Sequence, residues 1–173
     1  PEAFSAHRAH THLAWIAAEP HPVGSAAHAR VRTRLVQELK TLGLEVHTQR
    51  AEVPIPRRGA LVGVENVLAR KAGAGGEGAV LLACHYDSVP GSYGAADDGA
   101  GMATLLEVAR ALQHRPPLKQ DLILLVTDGE EVGLLGATAF VQHHPWAREV
   151  RAVVNLEARG TGGLTYLFET TSP

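Results

Sequence analysis

Two short, continuous apolar runs constrain the fold of this chain more than any other feature. They are AVLLA at residues 79–83 and LILLV at residues 122–126. Apolar runs without polar alternation are typical of parallel strands that are buried on both faces. Between them, residues 98–113 carry apolar side chains at helical spacing, and residues 150–156 predict a third strand. Strands that alternate with helices in this way predict an α/β fold.

The remaining segments extend this pattern over the whole chain. Further helices are expected at residues 4–18, 25–42 and 131–143, and further strands at residues 44–53, 61–70 and 165–169. With 173 residues, of which 45% are hydrophobic, the chain fits a single domain. We therefore expect a three-layer α/β/α domain over residues 1–173, with a mostly parallel mixed central sheet.

Charge and composition exclude several classes of protein. The net charge is −2, whereas a nucleic-acid-binding domain would usually carry a basic excess. No apolar run approaches the roughly 20 residues of a membrane-spanning helix. The one cysteine, Cys84, cannot form a disulfide within the chain. These observations therefore argue against a nucleic-acid partner and exclude a disulfide framework within the chain.

Polar side chains that can bind metal follow each predicted buried strand. His85 and Asp87 follow AVLLA, Glu130 and Glu131 follow LILLV, and Glu157 follows the third strand. In open α/β sheets, ligands bind outside the carboxyl ends of the strands, so these side chains should line one site. Imidazole and carboxylate groups together are typical of a zinc site.

Two metal ions fit this acidic cluster better than none. Several carboxylates in one cleft repel one another, so without cations some of them would take up protons. A carboxylate that bridges two divalent ions holds them about 3.5–4 Å apart, as in two-metal hydrolases.

Each motif also has a structural interpretation. Asp97 and Asp98 could cap the predicted helix at residues 98–113, and the pair Glu130-Glu131 could be a solvated turn. A lone His-x-Asp is usually structural as well. The occurrence of all these motifs in order, each at a strand end, favours the metal site.

The same motifs resemble a known family. HYD, GAADDGAG, DGEEVGLLGA and NLEARGTGG look like those of the dinuclear zinc aminopeptidases, a family that includes bacterial leucyl aminopeptidases and glutamate carboxypeptidase II-like enzymes. PHPVGS, before the second helix, is also typical. The segment QHHPWAREVRAVVNLEARGTGG is most similar to the endoplasmic reticulum metallopeptidase and vacuolar membrane protease branch. The resemblance covers residues 20–173.

The resemblance implies a fold and a set of metal ligands. The fold is that of a zinc exopeptidase, whose C-terminal part would be missing from this chain. Asp97 would bridge two Zn²⁺ ions, Glu131 would bind the first, and His85 and Glu157 would bind the second. In the family, the first zinc also has a histidine ligand far downstream, which would lie beyond residue 173. His143 and His144 are the nearest alternatives, but they fall at a predicted helix end.

The resemblance also implies catalytic roles for two acidic residues. Glu130 would be the general base that activates a metal-bound water and returns the proton to the leaving amine. Asp87 would orient His85 by a hydrogen bond to its second ring nitrogen. The expected activity is zinc-dependent removal of N-terminal residues from peptide substrates, although this chain alone could be inactive.

Three alternatives stay open. Arg159 could meet a substrate carboxylate, which would suit a carboxypeptidase that acts on acidic dipeptides. Glutaminyl cyclases form a divergent branch of the family that uses one zinc. A non-catalytic, peptidase-like metal-binding domain is the third. The resemblance favours a secreted, periplasmic or membrane-anchored extracytoplasmic location, with membrane attachment through segments outside this chain.

Overall fold

A computed structural model describes residues 2–55 and 59–158. The helices are α1 (Ala6–Thr11), α2 (Leu13–Ile16), α3 (Ala26–Thr41), α4 (Ala100–Leu112) and α5 (Leu135–His143). The strands are β1 (Glu45–Pro54), β2 (Leu61–Lys71), β3 (Ala79–His85), β4 (Asp121–Thr127) and β5 (Val150–Asn155). A π-helical turn (Ala95–Gly99) precedes α4, and a 3₁₀ helix (Pro145–Glu149) precedes β5.

The five described strands form one mixed sheet in the order β1-β2-β4-β3-β5. β3 pairs in parallel with both β4 and β5. β2 pairs antiparallel with β1 and with β4, so among the described strands it alone runs against the others. The connection between β1 and β2 is too short for the crossover that parallel strands need, which explains their antiparallel pairing.

Apolar side chains cover both faces of the sheet, because successive strand residues point to opposite sides. Leu82 and Cys84 face a core that they share with α1, α3 and α4. Leu81 and Ala83 face the other side, where Phe140 of α5 packs. The helices thus form layers on the two faces, and the predicted three-layer α/β/α fold is confirmed.

Most predicted elements occur close to where the sequence placed them. Ser25 accepts a hydrogen bond from the N–H of His28 and caps α3, as its position before the apolar pattern indicates. The helix predicted at residues 4–18 is divided into α1 and α2 at His12. The strand predicted at residues 165–169 lies outside the described residues.

The prediction of a helix from residue 131 was wrong at its start. Gly133 has a φ of 125° and Leu134 a φ of 57°, and neither value is compatible with a right-handed helix. α5 therefore begins only at Leu135. The four residues before it form a turn, and that turn shapes the site described below.

Among the described residues, none of the helices is both long enough and apolar enough to span a membrane. The single domain over residues 1–173 stays a prediction.

Candidate metal centre

His85 ends β3 and points one ring nitrogen at a group of carboxylates. Its side chain is buried, and its Nδ1 lies 3.0 Å from the backbone carbonyl oxygen of Asp87. A carbonyl can only accept, so Nδ1 carries a proton, and Nε2 is the ring nitrogen that can bind a metal once it is deprotonated. Nε2 lies 3.1 Å from Asp97 Oδ1, 3.8 Å from Glu157 Oε1 and 4.0 Å from Glu130 Oε2.

The neighbouring residues Asp97 and Asp98 have different environments. Asp98 is buried, where Oδ1 accepts the N–H of Gly101 at 3.0 Å and Oδ2 accepts the N–H of His85 at 3.3 Å. It therefore caps the first turn of α4 and ties that turn to the end of β3. Asp97 is half-exposed and faces the His85 ring. The peptide bond between the two aspartates is cis. The helix-cap interpretation thus holds for Asp98, while Asp97 faces the cluster.

Asp87 holds the turn that carries the two glutamates. Its Oδ1 accepts the N–H of Glu130 at 3.0 Å, and its Oδ2 accepts the N–H of Glu131 at 3.1 Å. The Asp87 carboxylate lies 3.5 Å from His85 Nδ1, whereas the backbone carbonyl oxygen of Asp87 is closer to the same nitrogen, at 3.0 Å. The sequence predicted that Asp87 orients His85 by a hydrogen bond. In the structure the Asp87 carbonyl accepts that bond, while the Asp87 carboxylate fixes the glutamate backbone.

The predicted ligands converge at the carboxyl ends of the parallel strands. One donor atom from each of His85, Asp97 and Glu131 lies within 4.8 Å of the other two. Glu157 joins them because the N–H of Leu156 donates to the carbonyl of Ala83 at 2.8 Å, which keeps the end of β5 beside β3. The structure thus brings these four side chains together, while their roles as ligands stay predictions.

The electrostatics of the cluster favour a bound cation. Burial of the His85 ring opposes protonation, but Asp87, Asp98 and Glu130 outweigh it and raise the pKa of His85 to about 10. Burial raises the pKa of Asp98 to about 8. Partial burial and the neighbouring carboxylates also raise the pKa values of Glu130 and Glu131. The site needs positive charge, which a divalent ion would supply.

The donor set fits zinc. Zinc is bound in proteins by imidazole nitrogen and carboxylate oxygen, and one histidine with several carboxylates is available here. Cys84 is adjacent in sequence, but its thiol lies in the core between the sheet and α4, and burial raises its pKa well above the usual value. The nitrogen and oxygen donors would therefore hold the metal without a thiolate.

The alternative ligands His143 and His144 lie away from this cluster. His143 is exposed. His144 stacks on Phe140 with ring centroids 5.4 Å apart, and its Nδ1 accepts the N–H of Trp146 at 3.3 Å. Neither histidine belongs to a group of potential ligands within residues 2–55 and 59–158. Arg159, which motivated the carboxypeptidase alternative, lies outside the described residues.

Two buried histidines support the site although the sequence did not predict such roles. The N–H of His21, in the PHPVGS segment, donates to Ser88 Oγ at 3.1 Å, and the N–H of Ser88 donates to the carbonyl of His21 at 3.3 Å. This pair of bonds anchors the loop that leads to Asp97. The second is His28, which pairs with Asp128 behind the glutamate turn. The burial of His28 could have been predicted from the sequence, because His28 lies on the same helix face as the buried Val31.

Imidazole and carboxylate donors lie together at the carboxyl ends of the parallel strands of this α/β sheet. This arrangement is typical of metal-dependent hydrolases. Peptidase family M28 matches residues 66–173, and the chain belongs to this family.

Two relatives illustrate the match in sequence. The vacuolar membrane protease of Yarrowia lipolytica is 35% identical over 200 residues, which cover 99% of this chain and 20% of that protein. Endoplasmic reticulum metallopeptidase 1 of Mus musculus is 42% identical over 97 residues, which cover 56% of this chain and 11% of that protein. The chain thus spans about a fifth or less of the length of these relatives.

Solved structures match the fold. A glutaminyl cyclase from Porphyromonas gingivalis superposes with a TM-score of 0.81 at 28% identity, covering 94% of this chain and 62% of that one. A Zn-dependent exopeptidase from Parabacteroides distasonis superposes with a TM-score of 0.75 at 25% identity, covering 90% and 62%. The comparisons confirm the resemblance to dinuclear zinc exopeptidases, the metallopeptidase class and zinc as the cofactor.

Proposed function

We propose that the protein containing this chain is a zinc-dependent aminopeptidase. The observation that carries the proposal is the convergence of His85, Asp97 and Glu131 within 4.8 Å, with the carboxylate of Glu130 beside them. In this assignment Glu131 would hold one ion, His85 and Glu157 the other, and Asp97 both. When bound, zinc polarises the scissile carbonyl and lowers the pKa of a bound water toward about 7.

Glu130 is the proposed general base and acid. Its carboxylate is partly exposed, and Oε2 lies 4.0 Å from His85 Nε2, next to the predicted ligands. Asp87 fixes its backbone, so the side chain starts from a defined position. A carboxylate at this place can take a proton from the attacking water and return it to the leaving amine.

The carboxylates around His85 Nε2 support action on the amino end of a peptide through the ions that they would hold. Oxygens of Asp97, Glu157 and Glu130 lie within 4.0 Å of Nε2. Two ions held by the proposed ligands could bind the free α-amine of a substrate and polarise its scissile carbonyl. The carboxypeptidase alternative depends instead on Arg159, which lies outside the described residues.

Glutaminyl cyclisation is a second candidate, because a glutaminyl cyclase superposes on most of this chain at 28% identity. Both reactions begin at a free amino terminus. They differ in products, since cyclisation of N-terminal glutamine releases ammonia and leaves the peptide chain intact.

We also propose membrane association of the whole protein. The relatives named as a vacuolar membrane protease and an endoplasmic reticulum metallopeptidase support it. Fractionation of cells that express the full-length protein tests it, and recovery in the soluble fraction would contradict it.

The decisive experiment assays the full-length protein against peptides with free or acetylated amino termini, including one that begins with glutamine. We expect release of the N-terminal residue from free peptides only, loss of activity with a chelator and recovery with zinc. Glu130→Gln should lower kcat by about 10²- to 10⁴-fold without changing the unfolding temperature. Glu45→Gln, at an exposed glutamate of β1, is the control. Wild-type kcat in Glu130→Gln, or cleavage of acetylated peptides alone, would contradict the proposal.

A further inference from the structure

We infer that His28 and Asp128 form a positioning pair that fixes Glu130 and Glu131 from behind the metal site. The inference rests on the proposed function, because it assigns the pair a role in that reaction. Neither residue is among the proposed ligands or the proposed base. Both side chains are buried, and they come from α3 and from the residue that follows β4.

The pair makes a short contact in the interior. His28 Nε2 lies 2.8 Å from Asp128 Oδ1, and the two side chains are 4% and 2% exposed. A carboxylate in so dry a place needs partners for both oxygens. Oδ2 accepts the N–H of Glu65 at 2.7 Å, so the imidazole N–H satisfies the remaining oxygen.

Asp128 is fixed through its backbone as well. Its N–H donates to Asn66 Oδ1 at 3.0 Å, and its carbonyl accepts the N–H of Gly136 at 2.7 Å. Gly129 follows with a φ of 66°, and Glu130 comes next. The position of Asp128 therefore sets where the glutamate turn begins.

The His28 ring also supports the other half of the site. It stacks on Tyr86 with ring centroids 4.5 Å apart and an interplanar angle of 10°. Tyr86 lies between His85 and Asp87, and its hydroxyl donates to the carbonyl of Glu65 at 2.9 Å. One imidazole thus contacts both segments that Asp87 joins at the front of the site. Its loss should displace catalytic groups rather than only loosen the core.

Three variants of the full-length protein separate the hydrogen bond from the packing. His28→Phe keeps a ring that can stack on Tyr86 but removes the donor. His28→Gln places an amide nitrogen at about the reach of Nε2, whereas His28→Asn places it at about the reach of Nδ1, too short for Asp128. We compare kcat, KM, zinc affinity and unfolding temperature.

We expect kcat and zinc affinity to fall about tenfold in His28→Phe and in His28→Asn, with KM within about twofold of wild type. His28→Gln should recover most of both, although it lacks the ring. If His28→Phe does not fold, the difference in kcat and zinc affinity between His28→Gln and His28→Asn tests the inference. Stability alone would not produce that difference in kcat among variants that remain folded.

Two results would overturn the inference: wild-type kcat and zinc affinity in folded His28→Asn, or equal losses in Gln and Asn. A failure of the proposed function is distinguishable from both. If the wild-type protein hydrolyses no peptide, zinc affinity still reports the position of Glu131. A lower zinc affinity in His28→Phe and His28→Asn than in His28→Gln would then support the positioning pair without any catalytic assay.

Discussion

At the scale of single residues, Asp87 links the two halves of the site. Its backbone carbonyl sets the proton on His85, and its carboxylate accepts the N–H groups of Glu130 and Glu131. Burial of this carboxylate opposes ionisation, but the nearby His85 ring and hydrogen bonds from the two glutamate N–H groups lower its pKa. Asp87 is thus an ionised acceptor, and both its charge and its two carboxylate oxygens are needed to hold the glutamate turn.

Asp87→Asn should lower zinc affinity by about 10- to 100-fold. The amide group of asparagine would direct an N–H donor at the N–H of Glu130 or of Glu131, and that turn would move. Competition against a chromophoric chelator measures the effect. Asp121→Asn is a matched control, because Asp121 also accepts a backbone N–H, that of Gly73, but belongs to another cluster. Equal zinc affinity in the two variants would contradict the prediction.

The sequence predicted which residues gather at the candidate metal centre, but it did not predict all the contacts that they make. The rule that ligands gather at the carboxyl ends of parallel strands located His85, Glu131 and Glu157 correctly in space, because strand order and direction follow from local patterns. It could not separate Asp97 from Asp98, since the two are adjacent and the difference depends on the turn before α4. The His28–Asp128 contact joins residues 100 positions apart, which no local pattern encodes.

At the scale of elements, one buried carboxylate attaches α1 to α4. Glu107 of α4 is 1% exposed and accepts hydrogen bonds from Arg110, Arg8 and the N–H of Ser5. The Arg110 guanidinium, helped by Arg8, outweighs burial and lowers the pKa of Glu107 to about 2 from an ordinary value of 4.5. The first helix therefore depends on an ionised group.

The stability that Glu107 contributes should depend on pH in a defined range. Its folded pKa lies below the unfolded one, so its contribution is complete above about pH 4.5 and is lost as the pH falls through about 2. We expect Glu107 to contribute about 2 kcal/mol to the free energy of unfolding. This is less than its pKa shift alone implies, because both arginines are partly exposed. Urea unfolding of the wild type and of Glu107→Gln from pH 6 to the lowest pH at which the wild type folds measures the difference.

That difference in unfolding free energy should shrink steadily as the pH falls below about 4.5. Other carboxylates titrate in the same range, but they occur in both proteins and cancel. A difference that stays constant with pH would show that Glu107 acts by packing alone.

At the scale of the whole molecule, the site exists only when the sheet is complete. Its proposed ligands come from the end of β3, the turn before α4, the turn after β4 and the segment after β5, over residues 85–157. An unfolded chain does not hold these groups together. Zinc should therefore bind the folded state and stabilise it by mass action.

We expect zinc to raise the unfolding temperature of this chain in a concentration-dependent way. A free zinc concentration about 100 times the dissociation constant adds about 2.7 kcal/mol to the free energy of unfolding. Asp97→Asn removes the proposed bridging charge from a half-exposed position, so the folded chain should persist while the zinc effect is lost. Elemental analysis of both proteins gives the stoichiometry. An unfolding temperature that ignores zinc, or that rises equally in Asp97→Asn, would mean that the cluster of carboxylates is not the place where the metal binds.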